Sequence, residues 1–175
     1  MRPFPILLVA AACGTSPDVK KDEAAPEVTT VYVVRHAEKA KEPKDNPPLT
    51  DAGAARAEAL SEVLKGQPIA AIYSTDTLRT RSTAAPTAAR LGLTVQVYEK
   101  EVPVLAQHRG QTVLVVGHSN TVAGLVEALG APKPKDLCDG EFHHLFVVRV
   151  PASGAATVED RAYGAPSSEP GCPAQ

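Results

Sequence analysis

Tryptophan is absent from this 175-residue chain, and three Phe with four Tyr make up an aromatic share of only 4%. A core must therefore come mainly from Val, Leu, Ile and Ala, and a stacking platform for single-stranded nucleic acid is not expected. An excess of one charge is also missing: 18 Lys plus Arg stand against 20 Asp plus Glu, a formal net charge of -2. Binding to a phosphate backbone draws on a surplus of Lys and Arg gathered on one face, so a nucleic-acid partner is not expected either. No apolar run is long enough to span a bilayer; the N-terminal run, Ile6 to Ala12, falls well short. What the chain does have is 43% hydrophobic residues, enough to bury a core and to exclude disorder throughout.

Residues 1–13, MRPFPILLVAAAC, have the shape of a short secretory signal: an early charge at Arg2, an apolar run, then small residues. Ala10, Ala11 and Ala12 before Cys13 resemble the lipobox of bacterial lipoproteins, in which the Cys is acylated, although Ala10 stands where Leu is usual. A plain signal peptide cut nearby is the alternative. Residues 14–27, GTSPDVKKDEAAPE, are small, charged and without apolar period, and they read as a flexible tether. The expectation is an exported protein, facing the periplasm or cell exterior and held to the membrane by its N-terminal lipid alone. Lipidation of Cys13 would leave Cys138 and Cys172 as an even pair in an oxidising compartment, so a disulfide tying the 164–175 tail to the body is expected, with two free thiols as the alternative.

From residue 28 to 163 strands alternate with helices. Val28 to Val34 is a β-branched run of strand length; Thr50 or Asp51 can cap a helix carrying Ala55, Ala59, Leu60, Val63 and Leu64, closed by Gly66. Pro68 to Tyr73 reads as a second strand, followed by a helix from Leu78 to Leu91 that Pro86 should kink or split and Gly92 should terminate. Leu93–Tyr98 and Thr112–Val116 read as further strands, separated by a short helix near 102–109. A helix capped by Ser119 or Asn120, a strand from Leu145 to Val150 and an edge near Ala156–Asp160 follow. This alternation predicts one three-layer α/β/α domain around a mainly parallel sheet.

In such sheets the ligand crevice lies beyond the carboxyl ends of the strands. Two strands run directly into histidine there, at Arg35-His36 and at Gly117-His118, and a third leads through Ser74 and Thr75 to Arg79. Two Arg and two His converging on one rim suit a phosphoryl group. Guanidinium forks bind phosphate oxygens bidentately and keep their charge, and a neutral imidazole nitrogen can attack phosphorus once its other nitrogen is held as a donor. The second histidine, if protonated, would add donors to the same oxygens. This scheme calls for neither metal nor cofactor.

Arg35-His36-Ala37-Glu38, the series Tyr73, Ser74, Arg79, Thr83, Ala84, and Gly117-His118-Ser119-Asn120, in that order, resemble the histidine phosphatase superfamily, which includes phosphoglycerate mutase. The resemblance implies His36 as the phosphorylated residue, with Arg35, Arg79 and His118 as catalytic and phosphate-binding partners and a phosphoglycerate mutase-like fold. Arg81 misses the family spacing. The implied activity is that of a phosphomonoesterase on a small-molecule or protein substrate. Phosphomutase activity is the enzymatic alternative, disfavoured by the short domain and by export, and a non-catalytic phospho-ligand binder is the alternative from another class. For the general acid, Glu101 is preferred over Glu141, with Glu99 sharing its strand parity and Glu38 read as structural. His108 is read as a loop residue, His143 and His144 as flanking a strand, and Lys39, Lys41 and Lys44 as a solvated basic loop.

Overall fold

The computed structural model of the protein describes residues 27–100 and 102–167. Cys13 with its apolar run, most of the 14–27 stretch, Glu101 and Cys172 lie outside the described residues. Among the described residues six strands and four helices follow in the order β1 (Val28–Arg35), α1 (Asp51–Val63), β2 (Ile69–Ser74), α2 (Leu78–Leu91), β3 (Val95–Val97), α3 (Val104–Gln107), β4 (Thr112–Gly117), α4 (Ser119–Ala128), β5 (His144–Pro151) and β6 (Thr157–Ala162). They build one sheet of order β3-β2-β4-β1-β5-β6, parallel in its core, with β5 antiparallel to both β1 and β6. The expected α/β/α layering holds.

Strand side chains alternate between faces, and both faces are covered, so the central strands are apolar on each. Val31 and Val33 of β1 point with Val113, Val115, Phe146 and Val148 toward α4, where Val122 and Val126 meet them. Tyr32 and Val34 point with Leu114, Val116, Leu145 and Val147 to the other face, against Leu60, Leu64, Ala84 and Ala88 of the α1–α2 side. Valine does most of this filling, as the scarcity of aromatics requires.

Local chemistry sets the element ends. Thr50 caps α1, its Oγ1 accepting from Gly53 N at 3.1 Å, and Gly92 ends α2 with φ +64. Pro86 does not split α2, which runs through it as one helix; its missing N–H leaves one ladder bond unmade, while Ala84, Thr87 and Ala88 on either side of it are buried against the body. The cap of α4 is His118 itself rather than Ser119 or Asn120, because Thr121 Oγ1 accepts from His118 N at 3.0 Å and the helix begins one residue earlier. Residues just outside the 28–163 span bond to it. Glu27 O accepts from Ala152 N at 3.0 Å, and Ser167 Oγ accepts from Phe142 N at 2.8 Å.

Candidate active site

The pairing of β1 with β4 determines where the two histidines meet. Arg35 is in register with Gly117, so His36 and His118, each the next residue along its strand, leave the sheet side by side. Their ring centroids are 5.4 Å apart in an edge-to-face arrangement. The chain then turns from β1 to the α1–α2 face and from β4 to the α4 face, which opens the crevice between them.

His36 is 3% exposed, and its Nδ1 lies 2.8 Å from Ala37 O. A carbonyl can only accept, so the proton sits on Nδ1 and the lone pair on Nε2. Burial is the largest influence on its pKa, opposed in part by that backbone bond. The charges of Arg35, His118 and Arg79 lower it further, to about 3. The ring is therefore neutral at physiological pH, as a nucleophile must be. Burial, then Arg79 and Arg35, also lower the pKa of His118. Its Nε2 lies 2.8 Å from Thr75 Oγ1. A protonated His118 is thus disfavoured until an anion offsets the two guanidinium charges.

Arg79 stands at the start of α2, close enough to both rings for its charge to act on them. Among the described residues it makes no salt bridge, and its buried Nε has no hydrogen-bond partner. Arg81, in contrast, points to the surface and pairs with exposed Asp76. Thr83 ties the two segments together: its Oγ1 donates to Arg79 O at 2.8 Å and accepts from Ala37 N at 2.9 Å.

Arg35 is 4% exposed, and its Nη1 donates to Cys138 O at 2.7 Å and Glu141 O at 3.1 Å. Phe142 lies under the guanidinium, 4.2 Å from Cζ to the ring centroid, and 6.1 Å from the His36 ring. No sequence signal pointed to this clamp, because carbonyls belong to every residue type. Glu38 is structural: its carboxylate takes both forks of buried Arg56 at 2.7 to 3.0 Å. The start of α1 sits so close that a Cβ at Gly53 would collide with Glu38 O, which leaves glycine as the residue that fits there.

The remaining candidates fall out as follows. Glu141 does reach the site's outer side, but its Oε2 is occupied by Cys138 N at 2.8 Å. Glu101 lies outside the described residues, whereas Glu99 and Thr75 both border a cavity of about 670 Å³ that runs along α4 to Leu125 and Leu129. His108 is structural, its Nε2 2.9 Å from the buried Tyr73 hydroxyl. Lys39, Lys41 and Lys44 belong to the loop between β1 and α1. No group of three or more His, Cys, Asp or Glu suited to a metal occurs among the described residues.

Known families and structures resemble this chain in part of its sequence and in its fold. Residues 31–100 match the histidine phosphatase superfamily (branch 1), a span that carries Arg35, His36 and Arg79 and stops before His118. No curated protein sequence matches the chain. Solved structures cover both halves. The protein histidine phosphatase SixA complexed with tungstate is 21% identical, with 76% of this chain and 96% of that chain covered, at a TM-score of 0.62. A mycobacterial glucosyl-3-phosphoglycerate phosphatase is 15% identical, covering 79% and 100%, at 0.59. Phosphoglycerate mutase from Bacillus anthracis is 18% identical, covering 78% and 93%, also at 0.59. At these identities the likeness is one of fold.

Proposed function

We propose that this chain is a phosphoglycerate mutase-like member of the histidine phosphatase superfamily, to which residues 31–100 are matched, and a phosphomonoesterase working through a phosphohistidine on His36. The observation that carries the reading is a buried neutral His36, with Nδ1 committed to Ala37 O and Nε2 free to attack, beside an Arg79 that has no acidic partner among the described residues. Nε2 attacks phosphorus, the bond from phosphorus to the ester oxygen breaks, and that oxygen takes a proton from a carboxyl group, for which Glu101 is the first choice. Water then attacks the phosphohistidine, the P–N bond breaks, and inorganic phosphate leaves. Arg35, Arg79 and His118 stabilise the equatorial oxygens in both steps. The cavity beyond Thr75 offers room for the leaving group.

The protein is further proposed to be exported and anchored through lipid on Cys13, a reading supported by the apolar run ending in Ala-Ala-Ala-Cys. The catalytic reading is tested with radiolabelled phosphate on a quenched reaction. Acid-labile, base-stable label should appear on His36 in the wild type and vanish in His36→Ala, together with turnover of an aryl phosphate. Turnover surviving in His36→Ala would overturn it, and tight phosphate binding with no turnover in the wild type would favour the phospho-ligand binder.

A further inference from the structure

Beside the Arg35 clamp, ionisable groups form a line from β6 to the Cys138–Glu141 turn. Asp160 of β6 places Oδ2 2.7 Å from Nδ1 of His144, the first residue of β5. On the other side of that ring, Nε2 of His144 faces Oε1 of Glu141 at 3.9 Å. Glu141 Oε2 in turn accepts from Cys138 N at 2.8 Å, and Glu141 N donates to Cys138 O at 3.1 Å, which closes a tight turn. The two ends of that turn are the residues whose carbonyls receive Arg35 Nη1.

We propose that His144 is a positioning residue for the phosphate-binding arginine: as an imidazolium between Asp160 and Glu141, it locks the Cys138–Glu141 turn whose carbonyls aim Arg35. The inference rests on Arg35 being an anion ligand, as the proposed function has it. A carbonyl on a turn is only as fixed as the turn, and here one carboxylate, Glu141, staples the turn from inside. Glu141 is 6% exposed and His144 9%, so the contact between them is little screened by water. The charged or titratable groups facing His144 are Asp160 from β6 and, from the loop before β5, Glu141 and the His143 ring, tilted 30° to it at 4.3 Å. The balance of these favours the cation: the Asp160 hydrogen bond, then the Asp160 and Glu141 charges, raise the pKa of His144 against an opposing effect of burial.

Loss of the proton would reverse the contact. Nδ1 keeps its hydrogen for Asp160, so the neutral ring turns a lone pair on Nε2 toward Glu141 Oε1. Attraction becomes repulsion, the staple loosens, and Arg35 loses its aim. Anion affinity should therefore fall as pH rises through the His144 pKa, above 6.5, an alkaline limb added to the fall at lower pH that proton uptake by His118 on anion binding produces.

The test uses sulfate, a dianion across the whole range, titrated by calorimetry into the full-length protein from pH 5 to 9, alongside kcat/KM on an aryl phosphate. Wild type should bind sulfate more weakly with rising pH, with a midpoint above 6.5. His144→Gln should bind about 10-fold more weakly at pH 6, as loss of outer support for a binding group typically does, and should lose the alkaline limb. Its KM should rise more than its kcat falls. Asp160→Asn, half exposed and safe for folding, should move the midpoint down. Wild-type sulfate affinity and pH profile in His144→Gln, an unmoved midpoint in Asp160→Asn, or no sulfate binding in the wild type would each overturn the proposal. Should sulfate follow the expected pattern while no aryl phosphate is turned over, the phosphatase reading fails and the positioning role stands.

Discussion

Replacing His36 with Gln should make the fold less sensitive to acid, at the cost of activity. In the folded protein His36 is held neutral, chiefly by burial, down to a pKa of about 3, against an ordinary value of 6.5. The unfolded chain takes up that proton as pH falls below 6.5 and the folded chain does not, so stability present above 6.5 is lost progressively toward pH 3. At pH 5 the unfolded state is favoured by about 1.5 pH units of uptake, roughly 2 kcal/mol at 1.36 kcal/mol per unit. Urea denaturation at pH 7 and pH 5 measures it: the wild type should lose about 2 kcal/mol more between the two than His36→Gln, or roughly 6 °C in Tm. Gln is a fair replacement because its amide can still donate to Ala37 O. His118 and His144 titrate in both proteins and cancel in the difference. Equal losses in the two proteins would refute the buried, neutral His36 on which the nucleophile argument depends.

Three further outcomes are expected. Arg79→Ala should lower kcat/KM by about 100-fold or more, the usual effect of removing one preorganised charge-stabilising group, whereas Arg81→Ala, which only breaks an exposed pair with Asp76, should leave it nearly unchanged; the reverse ranking would move the site. Glu101→Gln should slow alkyl phosphates strongly and spare an activated aryl phosphate, whose leaving group needs little protonation, and equal effects on both would shift attention to Glu99 and Glu141. Expressed in a bacterium, the full chain should partition with membranes and lose that behaviour on Cys13→Ser; soluble protein retaining Met1 would count against the anchor, and non-reducing peptide mapping decides whether Cys138 and Cys172 are bridged.

Much of the architecture was legible in one dimension because its causes are local. β-branched runs such as Val28–Val34 and Thr112–Val116 make strands wherever both faces can be covered, Thr50 caps a helix through its own hydroxyl, and Gly92 ends one because only glycine takes its φ cheaply. The polar residues at the strand ends, Arg35-His36 and Gly117-His118, could be read in the same way, since strand ends face the crevice in this class of sheet. Where those ends lie relative to each other is a different matter. The register of Arg35 with Gly117 joins segments more than eighty residues apart, and it alone brings the His36 and His118 rings to 5.4 Å. The Arg35 clamp was invisible for a related reason: two carbonyls hold the guanidinium, and a carbonyl carries no side-chain identity. His144 looked like a residue flanking a strand, and it is instead the first residue of β5. Only the pairing of β5 with β6 puts Asp160 on its ring, and only the turn before β5 puts Glu141 on the other side.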